Sequence, residues 1–154
     1  MPFLTNKEKL PICLLSGCHN LQFDVNIFNF FDEKARNRGE NTPECMGWWM
    51  TRKINGGSIA TLGCTALGYT KEDKVQFKGG INELEVQFFH QYGKGETNIL
   101  GDLWQESINW YVSTYPVDWN LDFQTEDSWI DSQVIQTWIL FGDPSLKIGG
   151  YAQD

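Results

Sequence analysis

Basic residues are scarce in this chain, and histidine is scarcer still. Its 154 residues include 12 Lys and Arg against 20 Asp and Glu, for a formal net charge of −8, and two His. Nucleic acids and anionic membranes are bound through clustered Lys and Arg, so we expect neither as a partner. No run of about 18 apolar residues occurs, and the sequence therefore predicts no helix that spans a bilayer.

Familiar metal-binding and catalytic motifs are also lacking. The four cysteines, Cys13, Cys18, Cys45 and Cys64, form no CxxC pair and have no cluster of histidines beside them. We therefore expect no zinc site, no other metal and no cofactor. The sequence contains no GxSxG, HExxH, P-loop or GxGxxG motif. Four cysteines are too few for a disulfide-dependent scaffold, although the sequence does not decide whether any pair is bridged.

What the chain does have is the composition of one compact globular domain with a sizeable core. Hydrophobic residues make up 41% of it, and the seven Trp and ten Phe are more than a small core needs. We expect some of these aromatic side chains to face a groove or a contact surface. The first nine residues lack the layout of a signal peptide, which leaves either a cytoplasmic protein or a chain that begins inside a longer one.

The pattern of apolar and polar residues predicts the order strand, helix, strand, helix, helix, helix, strand. The predicted strands are residues 10–15, 58–63 and 146–148; the predicted helices are residues 43–54, 83–92, 98–115 and 131–141, the last capped by Asp131. Residues 32–41, 65–80 and 116–127 are predicted to be loops or irregular segments. This order indicates an α/β layer arrangement, and a sheet of about three strands is thin enough to be part of a larger one.

Cys18 is the most informative residue of the sequence. It follows the predicted strand of residues 10–15 and the flexible pair Ser16-Gly17. In open α/β sheets, ligands bind in the crevice outside the carboxyl ends of the strands, so a cysteine there is placed to act as a nucleophile. The alternative is a buried, inert thiol, which is the expected state of Cys13 and Cys64 in or beside their apolar runs.

Neither histidine is well placed to activate that thiol. His19 is the next residue, and neighbours in extended backbone point to opposite sides. His90 lies beside Phe88 and Phe89 on a predicted helix, where a surface position is expected. The sequence thus offers a candidate nucleophile without an obvious general base.

Several segments, in this order, resemble a known family. They are residues 4–9 with the following strand, the sequence GCHNLQFD from Gly17, ECMGWW from Glu44 with GGSIATLG from Gly56, and WILFGDPSLKI from Trp138. Together they are similar to gingipain-type cysteine peptidases, family C25 of the caspase-like clan. The resemblance runs from about Leu4 to Tyr151.

The resemblance implies a caspase-like three-layer α/β sandwich in which a His-Gly pair and a Cys end neighbouring parallel strands. Cys18 matches the nucleophile, and the backbone N–H groups of Gly17 and Cys18 are the expected oxyanion donors. Residues 65–69 follow the next strand at the same end of the sheet, so Thr65, Gly68 and Tyr69 are the expected wall of the substrate pocket. Tyr69 lies near an aromatic position that walls the primary pocket in the family.

In that family the His-Gly pair precedes the cysteine strand, and no His occurs among the nine residues before this strand. The resemblance therefore implies the C-terminal half of a catalytic domain, with residues 1–154 forming a single domain or its C-terminal subdomain. The expected partners are a peptide or protein substrate and the upstream half, with self-association possible for the chain alone. The parent protein would be secreted or at the cell surface. The alternative is a non-catalytic interaction or scaffold module that keeps the fold and a structural Cys18.

Overall fold

A computed structural model describes residues 4–72, 77–120 and 125–150. After strand β1 (Ile12–Leu15) come a short 3-10 helix (Ile27–Phe31), α1 (Glu33–Asn37) and α2 (Met46–Arg52). Strand β2 (Ala60–Cys64) and the hairpin β3 (Thr70–Glu72) and β4 (Phe77–Gly80) follow. The rest is α3 (Ile81–Lys94), α4 (Leu100–Thr114), α5 (Glu126–Thr137) and β5 (Trp138–Phe141).

The main sheet has three strands in the order β1-β2-β5. β1 pairs with β2 in parallel, from Ile12 opposite Ala60 to Leu15 opposite Gly63. β5 pairs with the other side of β2 in antiparallel orientation. Because β1 and β2 are parallel, both carboxyl ends lie at the same edge of the sheet, which confirms the α/β class and brings the loops after them together.

Helices cover both faces of this sheet. Ala60, Leu62 and Cys64 of β2 are fully buried in the main core, with side chains of α3 and α4. The intervening Thr61 faces the other side, where its Oγ1 lies 2.9 Å from Thr51 Oγ1 of α2. Successive side chains of a strand point to opposite faces, so β2 is buried between two helical layers. Its five residues are therefore all buried.

The core is centred on α4 and β5. Leu100, Leu103 and Tyr111 are fully buried at helical spacing, as the pattern predicted. Trp138 is 1% exposed, and its ring centroid lies 4.5 Å from that of Trp104. Large aromatic side chains buried in this way supply much of the apolar area that leaves water on folding.

The first predicted helix is shorter than expected. Residues 43–54 were predicted, and α2 spans Met46–Arg52 with Cys45 at its N-cap. Thr42 is not the cap, because its Oγ1 donates to the Glu44 carbonyl oxygen in a turn that precedes the helix. Glu44 also lies outside the helix and forms an ion pair with Arg52.

The helix predicted over residues 131–141 has the wrong bounds at both ends, although residues 131–137 are helical. α5 begins at Glu126, and Thr125 is its cap, with Oγ1 accepting from Ser128 N. Asp131 lies inside the helix instead of capping it, and its carboxylate is buried. The helix stops at Thr137 because the apolar run that follows pairs with β2 as strand β5.

Four other predicted segments, three loops and one strand, also need correction. Residues 65–80 contain the hairpin of β3 and β4, and residues 32–41 contain α1, which Asp32 caps by accepting from Lys34 N and Ala35 N. Residues 146–148 make only an isolated bridge between Lys147 and Ile99. Residues 116–127 were predicted to be irregular; α5 starts within them, and residues 121–124 lie outside the described chain.

Candidate active site

Cys18 is an exposed residue in the turn that follows β1. β1 ends at Leu15, and Gly17 has a φ of 143°, a conformation that favours glycine. The preceding Ser16 is held by α3, since its Oγ donates to Glu85 Oε2 at 2.6 Å. The predicted position of Cys18, outside the carboxyl end of a strand, is the position that the structure gives it.

The loop after β2 supplies the direct contacts of the sulfur. Gly68 N donates to Cys18 Sγ at 3.4 Å, and Sγ lies 3.7 Å from Gly68 O. A Cβ on Gly68 would lie 3.3 Å from Gly17 O and 3.4 Å from Cys64 Sγ. The absence of a side chain at Gly68 therefore lets this loop approach the turn that carries Cys18.

Backbone hydrogen bonds join the same two segments. His19 N donates to Ala66 O at 2.8 Å, and Leu21 N donates to Cys64 O at 2.9 Å. His19 has a φ of 58°, in the left-handed region where non-glycine residues are uncommon. The turn of Cys18 is thus fixed against the carboxyl end of β2, which holds the thiol at the sheet edge.

Of the three predicted pocket-wall residues, Gly68 is the one with a hydrogen bond to Cys18 in the described chain. Thr65 turns toward the end of α5, where both its N and its Oγ1 donate to Thr137 O. Tyr69 is half-buried, and its ring packs 4.8 Å from the ring of Trp129 on the same helix. The loop of residues 65–69 is therefore anchored to α5 at both ends and presents Gly68 to the sulfur between them.

Neither histidine hydrogen-bonds the sulfur of Cys18 in the described chain. His19 is half-buried and lines a cavity beside α2, and its Nδ1 is buried with no partner among the described residues. His90 is exposed on α3, as the sequence predicted. Within the described chain, the two hydrogen bonds of Cys18 Sγ both go to the backbone of Gly68.

The other three cysteines are less available than Cys18. Cys45 and Cys64 are buried and Cys13 is half-buried; all four thiols are free. Burial, followed by the charge of Glu85, raises the pKa of Cys64 to about 12. Burial also raises the pKa of Cys13. Cys64 is thus the inert thiol that the sequence predicted, and Cys13 is only partly buried.

Sequence reasoning missed Glu85 at this site. Its Oε1 is buried without a partner among the described residues, and burial raises the pKa of its carboxyl, an effect that the bond from Ser16 opposes. The available signal was an acidic residue next to Leu84, on the side of the helix that faces the core. Glu85 places a buried carboxyl group one hydrogen bond from the segment that carries Cys18.

Membrane-spanning helices and clustered metal ligands are both absent from the described ranges. None of the helices there is long and apolar enough to cross a bilayer. Nor do those ranges contain a group of three or more His, Cys, Asp or Glu that could hold a metal ion.

Comparison with known proteins identifies the family. The family model described as Peptidase family C25 matches residues 1–149, nearly the whole chain. Neither the curated proteins nor the solved structures contain a match. The chain belongs to peptidase family C25, a family of cysteine peptidases.

Proposed function

We propose that this chain is the part of a gingipain-like, caspase-like cysteine endopeptidase that carries the nucleophile, Cys18. The observation that supports this most is the position of Cys18, which is exposed just after β1. Its sulfur accepts a hydrogen bond from Gly68 N, in the loop that follows the neighbouring parallel strand β2. A nucleophile on a turn between two fixed strand ends keeps its geometry as the substrate binds.

The chemistry follows from the thiol. The Cys18 thiolate attacks the scissile carbonyl carbon, a C–S bond forms, and the carbonyl oxygen becomes an oxyanion. The backbone N–H groups of Gly17 and Cys18 are the proposed donors to that oxyanion; neither donates to another backbone group in the described chain. A general acid then protonates the leaving amine, the C–N bond breaks, and water hydrolyses the thioester.

The general acid and base is proposed to come from outside the three-stranded sheet. β1 is an edge strand, because it pairs only with β2 among the described strands. A strand that pairs with the free edge of β1 would end beside Cys18 if it were parallel, and a His on that strand could reach Sγ. We therefore assign the base to a segment paired with β1, and neither to His19 nor to His90.

The substrate is proposed to be a peptide whose side chain lies along the loop of residues 65–69. Gly68 places the backbone of this loop against Cys18, and Tyr69 supplies an aromatic surface that Trp129 holds in place. Thr65 anchors the base of this loop on Thr137. An anchored loop that carries a rigid aromatic ring is suited to bind an extended peptide.

A second candidate function is a non-catalytic interaction module. Ile27, Phe28, Phe30 and Phe31 of the 3-10 helix are 54%, 72%, 55% and 86% exposed. Four large apolar side chains on one short element form a surface that a partner could cover. The absence of an imidazole contact to Cys18 in the described chain is also consistent with a module that has lost catalysis.

A peptidase assay of the 154-residue chain with a peptide mixture tests whether this chain is active without a further segment. The described chain offers no base for the thiol and no acid for the leaving amine, so we expect no appreciable turnover. Turnover that depends on Cys18 would contradict the assignment of the base to another segment. His19→Asn and His90→Asn would then identify which histidine acts as the base.

A further inference from the structure

One face of α3 contacts both segments that form the candidate site. Ile81 and Glu85 are four positions apart, so their side chains lie on the same face of this helix. Glu85 Oε2 accepts from Ser16 Oγ at 2.6 Å, in the segment that follows β1. Ile81 N donates to Tyr69 O at 2.9 Å, at the end of the loop of residues 65–69. The first two turns of α3 therefore hold both segments.

Ile81 also packs against the backbone of Gly68. A Cβ on Gly68 would lie 2.9 Å from Ile81 Cδ1 and 3.3 Å from Gly17 O, so this glycine is enclosed between α3 and the turn that follows β1. In this position its N donates to Cys18 Sγ at 3.4 Å. The helix thus supports the group that contacts the sulfur, and a shift of the turn relative to α3 would change this contact.

The turn that carries Cys18 depends on hydrogen bonds for its position. Gly17 separates Ser16 from Cys18, and a glycine leaves the backbone free to rotate, so it does not by itself fix the direction of the cysteine. After the cysteine, His19 N donates to the loop that follows β2, at 2.8 Å. Before it, the side chain of Ser16 is bound to Glu85. Without that bond, Ser16 and Gly17 would form a flexible link between β1 and the nucleophile.

Glu85 is suited to this support because its own carboxyl group is confined. Oε1 is buried and has no partner among the described residues, while Oε2 accepts from Ser16. Burial raises the pKa of this carboxyl, an effect that the bond from Ser16 opposes, and its charge acts on the buried thiol of Cys64 at the end of β2. A side chain that is fixed by packing holds its hydrogen-bond partner with little freedom.

We propose that Glu85 is a positioning residue for Cys18 and acts through its hydrogen bond to Ser16. This bond fixes the turn of the nucleophile on the helix face that also supports Gly68. The role rests on the proposed function, because positioning matters for cleavage only if Cys18 is the nucleophile. A misplacement of about 1 Å can lower a rate by about a hundredfold, so loss of this one bond should lower kcat by about tenfold.

Steady-state cleavage of a peptide by the protein encoded in the complete reading frame tests this role. Glu85→Met keeps an unbranched side chain of similar length without an acceptor for Ser16, and Ser16→Ala removes the donor. Each should lower kcat by about tenfold and leave KM within about twofold, because the turn matters for the chemical step and not for substrate binding. The double variant should lose no more than either single variant, since all three lack the same bond.

Conservative and control variants separate positioning from general stability. Glu85→Gln keeps an acceptor for Ser16 and is uncharged, like the form that burial favours, so its kcat should stay within about twofold. The control Ser113→Ala removes an exposed hydroxyl that donates to Asn109 O of its own helix, and should change neither constant. An unchanged kcat in Glu85→Met, losses that add in the double variant, or a Glu85→Gln as slow as Glu85→Met would overturn the proposal. If Glu85→Met does not fold, Ser16→Ala at its exposed position decides.

Amide hydrogen exchange in the 154-residue chain, measured by NMR, tests the same contact without turnover. The amide of Gly68 donates to Cys18 Sγ, so its exchange rate reports whether the turn is in place. In Glu85→Met and in Ser16→Ala this exchange should be about tenfold faster than in the unmodified chain. The amide of Gly101, at the start of α4, is the internal reference and should not change.

The positioning role and the proposed function fail in different ways. A complete protein that cleaves no peptide, although both variants speed the exchange of Gly68, would overturn the proposed function and with it any role of Glu85 in cleavage. An active peptidase whose kcat and Gly68 exchange are the same in Glu85→Met would overturn the positioning role alone.

Discussion

Cys18 differs from the other three cysteines in exposure and in electrostatic surroundings. It is exposed, whereas Cys64 is fully buried next to the charge of Glu85 and has a pKa raised to about 12. The thiolate is the reactive form, so burial protects Cys64 and Cys45 from alkylation. The rate of alkylation should therefore be highest for exposed Cys18 and lowest for the buried Cys45 and Cys64.

We predict that iodoacetamide modifies Cys18 at least about tenfold faster than any other thiol of the native chain. Peptide mapping by mass spectrometry measures the rates. In Cys18→Ser the fast phase should disappear, and Cys64 should react only after unfolding. Faster modification of Cys45 or Cys64 than of Cys18 in native protein would count heavily against the site.

Glu85 gives a prediction about pH. Burial raises the pKa of its carboxyl, so the folded state favours the protonated form. The stability that this form contributes is complete below the ordinary pKa of Glu and is lost as the pH rises through the raised value. The uncharged side chain of Glu85→Gln does not lose stability in this way. Near pH 7 the free energy of unfolding of Glu85→Gln should exceed that of the unmodified chain by on the order of 1 kcal/mol, because the variant no longer buries a charge.

The comparison needs unfolding free energies of both chains between pH 4 and pH 7. The advantage of Glu85→Gln should shrink toward pH 4. The exposed control Glu106→Gln on α4 should show little change with pH. A stability difference in favour of Glu85→Gln that grows as the pH falls would show that the folded state does not favour the protonated form of Glu85.

A buried polar network connects the hairpin of β3 and β4 to the helices α4 and α5. Tyr111 on α4 donates to Asp131 Oδ1 at 2.6 Å and accepts from Gly80 N at 2.6 Å. Lys71 of β3 binds Asp131 Oδ2 at 2.6 Å. The hairpin begins directly after Tyr69, so this network also determines where the candidate pocket wall ends.

Tyr111→Phe should destabilise the chain by about 1–3 kcal/mol, because it leaves Gly80 N and one oxygen of Asp131 buried without partners. Denaturant unfolding measures the loss, and amide exchange should speed up at Gly80. Tyr92→Phe, at an exposed tyrosine on α3, is the matched control and should stay within about 0.5 kcal/mol. Equal stability of the two variants would mean that the network contributes nothing to the fold.

The sequence predicted these elements unevenly. Gly95 after α3 and the apolar stripe of α4 were local signals, and both helices formed close to their predicted bounds. Residues 138–141 were assigned to a helix, because a short apolar run has no period that separates strand from helix. Pairing with β2, which is distant in sequence, decided the outcome.

The candidate site shows the same division. Cys18 and Gly68 could be located from strand ends and glycines, which are local features. The bonds of Asp131 to Lys71 and of Glu85 to Ser16 join residues about 60 and 69 positions apart, and no local pattern indicates such a pairing. The cavity that His19 lines likewise depends on how α1 and α2 pack against the turn of Cys18.

The edge of β1 that pairs with no described strand has the largest consequence for how the chain associates. Its side chains from Ile12 to Leu15 are half-buried, and an apolar groove of about 590 Å³ lies at its start, lined in part by Leu10, Ile59 and Leu146. An edge strand with apolar surroundings is a template for pairing. The 154-residue chain should therefore associate with itself or with a segment that supplies a neighbouring strand.

We predict concentration-dependent association of the 154-residue chain in size-exclusion chromatography with light scattering. Leu10→Lys places a charge beside the edge and should shift the chain toward monomer, whereas Val112→Lys on α4 should not. Both positions are exposed, at 38% and 41%, so neither change should unfold the chain. A stable monomer at high concentration that binds no exposed-surface dye would show that the edge of β1 is not a pairing surface.

Cys18 is proposed to be the nucleophile of a cysteine peptidase, and the decisive measurement is peptide cleavage by the protein encoded in the complete reading frame. Cys18→Ala should lower the rate by at least about a thousandfold, because no other described thiol is exposed. Cys13→Ala, on the adjacent strand β1, should keep most of the activity. Cleavage that survives Cys18→Ala, or a complete protein that cleaves no peptide, would show that Cys18 is not a peptidase nucleophile.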